Sequence, residues 1–567
     1  MSKLEQFILI SLGFFVFEII FIRVGFFLGS PINKYTLILS LLTFFAGVIN
    51  VYSLNRFSSQ QVVKKFIPLL AFATFIIFLS AGSILLSNTY DTSWDGQGYH
   101  QSAVIALSEN WNPVYAPSID FSQNLPSQIF AEGYPSSLWE IESTIYSLTG
   151  KINSAKIVNF AIAVIAGAIF YSLLRKLKLG KLLSGLISVL VVLQPVYIIQ
   201  LLTFMEDGFG YELLVIAAGS LSIIALSSKS YWAIAVFLMA ELLLITTKYS
   251  HLPVSLVLGI IFMLIVVNRF LNRDYRLNKY TYSFIGLLLF ISAIFATLPY
   301  IRNQFYHSAM FYPTNIPELM GSVRFNNVPN NLQDNNKLSL LFYGLFSRAQ
   351  VKESGDPTNP ANLAHLKIPF TFSIEELNGS AELYNNRVGG GGPLFSGLVL
   401  LSVILITFLY FKAENRTQRY AVYVGIFVLT LILLLSLLAP TPNLLRYANQ
   451  LQLIPFAITI PILAVFKRTY IQVFCLVIIN ISVINVLLFS SAVVYKNFKE
   501  TFHMNEEMSQ LRDSGKEYQV RAQQFYSTYI LLAEQNISFA AVDKLNCTGV
   551  KPLIASSTTT QYCFKGN

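Results

Sequence analysis

Runs of about twenty apolar residues, each long enough as a helix to cross roughly 30 Å of hydrocarbon, recur along this chain. They fall near residues 5–28, 34–53, 66–87, 153–174, 182–202, 211–228, 231–247, 252–268, 281–300, 393–411, 420–439, 444–466 and 469–495. The pattern predicts about thirteen transmembrane helices. Three long intervals separate or follow them, at about 88–152, about 301–392 and from about 496 onward. The tail (KNFKETFHMNEEMSQLRDSGKEYQV…) is far more polar than the rest and reads as a small α/β appendage. The expected architecture is an all-α polytopic membrane protein. Residues 1–65 form an N-terminal transmembrane hairpin, 66–495 a transmembrane module with large loops at 88–152 and 301–392, and 496–567 an extracytoplasmic C-terminal domain. Segment 133–148 (GYPSSLWEIESTIYSL) looks amphipathic, as does a helix lying along a membrane surface.

Composition agrees with this class. Of 567 residues 54% are hydrophobic, 14% aromatic and only 12% charged, with a mean hydropathy of +0.57. A soluble domain carries about twice that charged fraction. Short loops rich in Lys and Arg stay preferentially on the cytoplasmic side. With the N-terminus inside, the inner connections hold Arg56, Lys64 and Lys65; Arg175, Lys176, Lys178 and Lys181; and Lys229. They also hold Arg269, Arg273, Arg276 and Lys279; Lys412, Arg416 and Arg419; and Lys467 and Arg468, against only Lys248 and Arg446 in the short outer ones. The net charge of +10 is therefore mostly topology, and a nucleic-acid partner is not expected. The chain reads as a multi-pass cell-membrane protein with a cytoplasmic N-terminus and an extracytoplasmic C-terminus. Its first segment lacks a small-residue cleavage site and reads as a retained anchor. Cys547 and Cys563 share the outward tail and either pair or stay as thiols, while Cys475 lies inside a span. Gly389–Gly392 fit no phosphate loop and read as a flexible lead-in to the tenth span.

The candidate chemistry is outside. TYDTSWDGQGYHQ, residues 89–101, sets Asp91, Asp95 and His100 among Trp94, Tyr99 and two glycines just after the third span. Charge at a bilayer rim is costly unless it meets an ion, a substrate or a countercharge. The connection after the fifth span, QLLTFMEDGFGYE, adds Glu206, Asp207 and Glu212. Because the two acidic loops bracket one hairpin, they can share a cavity. Paired carboxylates there take a proton from a hydroxyl, hold a divalent cation such as Mg or Mn, or do both. Asp91 and Asp207 are the candidate metal ligands. His100 is a metal ligand, a hydrogen-bonding partner of a substrate, or an ordinary loop histidine.

Positive charge is the second ingredient. Arg302, Asn303 and His307 end the ninth span, Lys367 and Arg387 lie in the long loop, and Arg446 opens the twelfth span. Lys248 and His251 cap the seventh. A guanidinium fork matches phosphate oxygens, although Lys and Arg at this depth also snorkel to the interface. Lys248 reads as the clearest snorkeller. Trp94, Tyr99, Trp111, Tyr134 and Trp139 suit either sugar stacking or the interfacial aromatic belt.

This order of features, with TYDTSWDGQGYHQ as its sharpest piece, resembles the GT-C superfamily over roughly spans three to thirteen. These are integral-membrane glycosyltransferases using polyprenyl-phosphate sugars, of the protein O-mannosyltransferase and aminoarabinose transferase type. The resemblance implies that Asp91 or Asp95 is the first-loop catalytic acid and Glu206 or Asp207 the second. It implies that Arg302 or Arg387 meets the donor phosphate, with Tyr99, His100, Lys248, Asn303, His307 and Arg446 as further substrate contacts. It also implies a polyprenyl-phosphate-linked sugar donor and a glycan, lipid or protein acceptor, with transfer inverting the anomeric centre. Two spans precede the acidic loop where the family commonly has one. A transporter or flippase of a lipid-linked or small anionic substrate is the alternative, and a scaffold is a third. A transporter needs charged or broken helices at mid-membrane, where only Glu18, Arg23 and Glu241 stand.

Overall fold

Helix α1 (Lys3–Phe27) opens on a reciprocal cap: Glu5 N–H donates to Ser2 Oγ, and Ser2 N–H donates to the Glu5 carboxylate at 2.8 Å. That satisfies two donors the first turn otherwise orphans. The structure, a computed structural model, describes residues 1–53, 59–119, 128–135, 137–227, 230–271, 279–351, 363–381, 386–523, 525–547, 549–553 and 560–564. Arg56, Lys229, Arg273 and Arg276 of the expected basic connections lie outside these residues.

After α1 come α2 (Thr36–Ser53), α3 (Ser59–Leu86) and three short helices in the first long interval: α4 (Gln101–Ser108), α5 (Gln128–Gly133) and α6 (Ser137–Thr149). The bundle resumes with α7 (Ile157–Lys176) and with α8 (Lys181–Val192), separated from α9 (Pro195–Gln200) by a break at the proline. Then follow α10 (Glu206–Leu226), α11 (Tyr231–Thr247), α12 (Leu252–Leu271) and α13 (Lys279–His307). The second long interval holds α14 (Pro317–Asn327), α15 (Lys337–Phe346), β1 (Gln350–Val351), α16 (Ile374–Ala381) and β2 (Asn386–Val388), with β1 antiparallel to β2. Helices α17 (Phe395–Lys412), α18 (Arg416–Leu438), α19 (Ile454–Val465) and α20 (Thr469–Asp513) complete the bundle.

The predicted apolar stretches are thus mostly helical, although 182–202 breaks at residues 193–194 and 444–466 becomes α-helical only at Ile454. Among the described residues, eight helices are long and apolar enough to cross a membrane, in α1, α3, α7, α10, α12, α17, α18 and α20. Helices α2, α8, α11, α15 and α19 are apolar but shorter. The buried centre is formed chiefly by α7, α10 and α11, whose aliphatic side chains contact α1 and α8, while α2, α3 and α12 leave many large apolar groups exposed.

Polar ties join the helix ends in two groups. At one end Lys176 pairs with Glu5 at 2.9 Å, Arg468 with Glu414, and Arg269 donates to the Ala225 carbonyl at 2.9 Å. These are termini at which the basic connections cluster. The acidic loops gather elsewhere, after α3 and α9. Of the interior charges named from the sequence, Arg23 binds Glu140 at 2.9 Å, while Glu18 and Glu241 each accept a hydroxyl hydrogen bond, from Ser40 and Ser255.

Two expectations need correction. Segment 133–148 does not lie on a surface. Most of α6 is buried, because Trp139 and Leu138 face inward as Ile141 does and Glu140 is consumed by Arg23. Gly389–Gly392 is not a slack lead-in either. Gly389 and Gly392 have φ of 75° and 93°, and a Cβ at Gly389 would press on the backbone of residues 347–349. Only glycine fits there.

Helix α20 has 45 residues, about 68 Å at 1.5 Å per residue, so its second half extends well past any hydrocarbon layer. It leads into β3 (Tyr518–Arg521), α21 (Ser527–Glu534), β4 (Phe539–Ala541), β5 (Lys551–Pro552) and β6 (Gln561–Phe564), in sheet order β4-β3-β6-β5. The parallel β3–β4 pair needs the α21 crossover, and β6 closes antiparallel on β3. Cys547 and Cys563 are disulfide-bonded, with Cα atoms 6.0 Å apart, within the usual range. The expected α/β unit is present, but it shares one apolar core with α4, α6 and the end of α1. Ile152 N–H donates to Glu534 at 2.9 Å and Ser527 Oγ to the Gln97 carbonyl at 3.2 Å, so it braces the acidic loop.

Candidate functional site

The two acidic loops meet. Asp91 Oδ1 accepts from Ser93 N–H at 2.7 Å and Ser93 Oγ at 2.6 Å, and its Oδ2 accepts from Phe204 N–H at 2.7 Å. Phe204 lies just before α10, so this carboxylate fastens the first acidic loop to the start of the helix carrying Glu206 and Asp207. Gly96 is required here for closeness and not for flexibility: a Cβ on it would collide with the Asp91 carboxylate. Burial pushes the Asp91 carboxyl up, against its donors at Ser93 and Phe204 and the nearby Lys156 ammonium. With both oxygens bound to N–H and O–H groups, Asp91 is a structural anchor.

Asp207 is the next turn of the same construction. Its Oδ1 accepts from Lys248 Nζ at 2.7 Å, both side chains being nearly sealed from solvent. Gln200 Nε2 donates to Oδ2 at 3.4 Å, and Asn449 Nδ2 donates to the Asp207 carbonyl at 3.2 Å. Lys248 therefore does not snorkel. Burial would lower its ammonium pKa, but the Asp207 carboxylate, together with Tyr447 and Glu206, outweighs that and holds it above its ordinary value. It sits at the break between α11 and α12, where the chain turns extended and points the side chain into the bundle end.

A second pair stands beside the first. Arg446 Nη1 donates to Asp95 Oδ2 at 2.7 Å, with side-chain exposures of 12% and 21%. This is the wettest part of the cluster. Tyr447 lies between the pairs, its ring 5.0 Å from the Arg446 guanidinium and 5.6 Å from Lys248 Nζ. Two carboxylates and two cations thus surround one aromatic ring.

His100 forms the wall. Trp139 Nε1–H donates to its Nδ1 at 2.9 Å, which places the ring proton on Nε2. That Nε2 is buried and has no partner. Burial, helped by the Lys248 charge, holds the imidazole well below its ordinary pKa and therefore neutral. Tyr99 stacks on it at 4.2 Å, and Phe130, Tyr134 and Tyr249 continue the aromatic surface at 5.2–6.0 Å spacings. Of the five aromatics anticipated, Tyr99, Tyr134 and Trp139 join this wall. Trp94 packs on Phe525 and Trp111 lies near Arg302.

The remaining candidates lie elsewhere. Arg302 donates to the Glu132 carbonyl and to Asn303 Oδ1. Asn303 Nδ2 donates to Gly133 O at 2.6 Å, Tyr249 Oη at 2.7 Å and Tyr312 O at 3.1 Å. His307 stacks on Tyr312 at 3.8 Å. Arg302 and Asn303 thus brace the loop backbone, and His307 packs on a ring of the same loop. Arg387 donates to the Asn326 carbonyl at 3.0 Å, on β2, and contacts no carboxylate of the cluster. Lys367 pairs with Glu376 at 2.6 Å.

Glu206 is buried with both oxygens unpartnered, as is Glu142 of α6. Sequence reasoning named Glu206 but missed Glu142, Tyr447, Gln200 and Asn449. Tyr447 is adjacent to Arg446 in LLRYANQ and could have been included with it; the other three carry no local signal. Among the described residues no group of three His, Cys, Asp or Glu is arranged to hold a metal. Asp91 is saturated by hydrogen-bond donors and Asp207 faces an ammonium, so the two do not suit a divalent cation as a pair. Comparison of the sequence with protein-family models and with curated proteins finds no match.

Proposed function

We propose that this chain is a multi-pass membrane glycosyltransferase of GT-C type, moving a sugar from a polyprenyl-phosphate donor to an acceptor hydroxyl on the extracytoplasmic side. The observation that carries this reading is the double pair Asp95–Arg446 and Asp207–Lys248 around Tyr447, at the end of a bundle of apolar helices. Two adjacent cations in a mostly desolvated setting suit a phosphodiester, and a partly exposed carboxylate beside them suits a base.

Asp95 is the proposed base because it alone of the acids here combines an ion pair with solvent access. The donor phosphate draws the Arg446 guanidinium toward itself, which frees the Asp95 carboxylate to take the acceptor's hydroxyl proton. The acceptor oxygen attacks the anomeric carbon from the face opposite the phosphate. The carbon–oxygen bond to phosphate breaks, and the electron pair leaves with the lipid phosphate. Arg446 and Lys248 offset the charge that develops on it, and the neutral His100 Nε2–H supplies a third donor. Asp207 keeps Lys248 in place. Asp91 holds the loop, and the aromatic wall faces the sugar.

The transporter alternative draws on charge within the bundle, where Arg23 is paired with Glu140, Glu18 and Glu241 each accept from a hydroxyl, and Glu212 of α10 is buried with both oxygens unpartnered. The deciding experiment reconstitutes the chain in proteoliposomes with labelled polyprenyl-phosphate sugars and an acceptor hydroxyl. Asp95→Asn and Arg446→Gln are expected to lose transfer by about 10²-fold or more while folding normally. Full transfer in both variants and in Asp207→Asn would refute the assignment.

A further inference from the structure

Between α15 and α16 the chain is turned inside out relative to a water-facing loop. Leu366, Ile368, Phe370, Phe372 and Ile374 alternate through a segment that turns at Pro369–Phe370, where Thr371 N–H donates to the Ile368 carbonyl at 3.1 Å, and enters α16 at Ile374. All five are exposed, Ile368 at 75% and Ile374 at 71%. The charged residue among them is the one turned inward: Lys367 Nζ donates to Glu376 at 2.6 Å and to the Pro393 carbonyl at 2.7 Å. Water would select the opposite register, since exposing five large apolar groups while hiding a lysine carries both penalties at once. Exposed polar groups flank the row at His365 and Glu375, and within it Thr371 is the one exposed polar residue.

The segment is fastened to the end of the bundle. Phe370 takes a left-handed backbone, φ 70°, uncommon for an aromatic residue, and its ring covers Gly397 in the first turn of α17, where a Cβ would collide with it. Helix α15 continues the same surface. It buries Leu340, Leu341 and Leu345, exposes Leu338 and Phe342, and Lys337 Nζ donates to the Leu437 carbonyl at the end of α18 at 3.1 Å. The apolar surface therefore joins the exposed flanks of α17 and α18, which carry Val403, Ile404, Phe408, Phe427 and Leu434.

We propose that the exposed row from Leu366 to Ile374, with the outward face of α15, is a membrane anchor seated in the lipid leaflet at this end of α17 and α18. Its occupant is lipid because the row is continuous with helix faces long and apolar enough to cross the bilayer, and because aromatic and aliphatic groups mix there as at headgroup depth. The proposal rests on the membrane reading above but not on sugar transfer.

Spin labels test it in the full chain, reconstituted in liposomes. In a Cys475→Ser parent, single variants Ile368→Cys and Phe372→Cys are labelled, with Phe408→Cys as the lipid-facing reference and Lys544→Cys as the aqueous one. Power saturation by oxygen and by a water-soluble nickel chelate reads each site's surroundings. The expected result is that labels at 368 and 372 favour oxygen over nickel, as the label at 408 does. Behaviour like that at 544 overturns the anchor. Protection from both reagents with spin–spin broadening overturns it too, in favour of a second copy covering the row. If the label at 408 itself follows that at 544, the membrane reading falls and takes the anchor with it.

Discussion

Lys248 Nζ lies 2.7 Å from Asp207 Oδ1 in a setting from which water is nearly excluded. One partner ends α11 and the other begins α10, so the ion pair clamps the end of a helical hairpin. A buried pair adds little over a well-packed apolar substitute, but breaking it strands a charge.

Lys248→Met is therefore expected to lower stability by about 3–5 kcal/mol, and the double variant Lys248→Met/Asp207→Leu to regain a large part of that loss. Thermal unfolding in detergent for the three chains measures it. A single variant as stable as the parent contradicts the clamp.

Gly96→Ala and Gly98→Ala separate closeness from flexibility. At Gly96 a Cβ strikes the Asp91 carboxylate, whereas at Gly98 the nearest atom is 3.6 Å away on Trp94. Gly96→Ala should cost about 1–3 kcal/mol through displaced hydrogen bonds and Gly98→Ala well under half of that. Equal melting temperatures would contradict the Asp91–Phe204 tie.

The neutral His100 with its proton on Nε2 is open to observation, since the chain has only five histidines. Nitrogen-15 spectra of histidine-labelled protein, with the His100 signal assigned by its loss in His100→Gln, should show that this imidazole stays in a single tautomer and does not titrate between about pH 5 and 8. Trp139→Phe removes the donor to Nδ1 and should mix the tautomers of that ring alone. In the proposed reaction it should reduce transfer roughly tenfold, the scale of one neutral hydrogen bond.

Glu534 gives a pH signature. Burial holds its carboxyl up to about 7 from an ordinary 4.5, against the Ile152 N–H and Lys151. Between those values the folded chain binds a proton that the unfolded chain has released. This group's contribution is thus greatest at or below 4.5, declines as pH rises to 7 and is constant above. Glu534→Gln should flatten that part of the stability–pH curve by at most about 3 kcal/mol, read by melting temperature at pH 5 and 7.5. An unchanged slope would exclude Glu534 as its source.

The bundle was legible because hydropathy over twenty residues reports a local requirement: hydrocarbon solvates no peptide group, so the chain must be helical wherever it is apolar enough. The tail was legible for the converse reason. The acidic loops stood out because charge beside a span is expensive. What they do was not legible. Asp91 and Asp95 sit at one spacing in one motif, yet one is saturated by Ser93 and Phe204 and the other pairs with Arg446, from hundreds of residues away. Lys248 looked like a snorkelling lysine because its partner is 41 positions upstream. Segment 133–148 looked superficial because its polar face meets Arg23 across the fold.

By itself, the sequence determined the apolar helices, the polar tail, the bias of basic loops and the presence of acids at the helix ends, each a matter of the transfer free energy of neighbouring residues. Only the tertiary structure decided which acid is an anchor and which keeps solvent access, that Tyr447 stands between two ion pairs, and that Trp139 sets the His100 proton. Those properties are pairwise. Electrostatic and hydrogen-bond energies depend on separations of a few ångströms between groups far apart along the chain, and no local pattern encodes them.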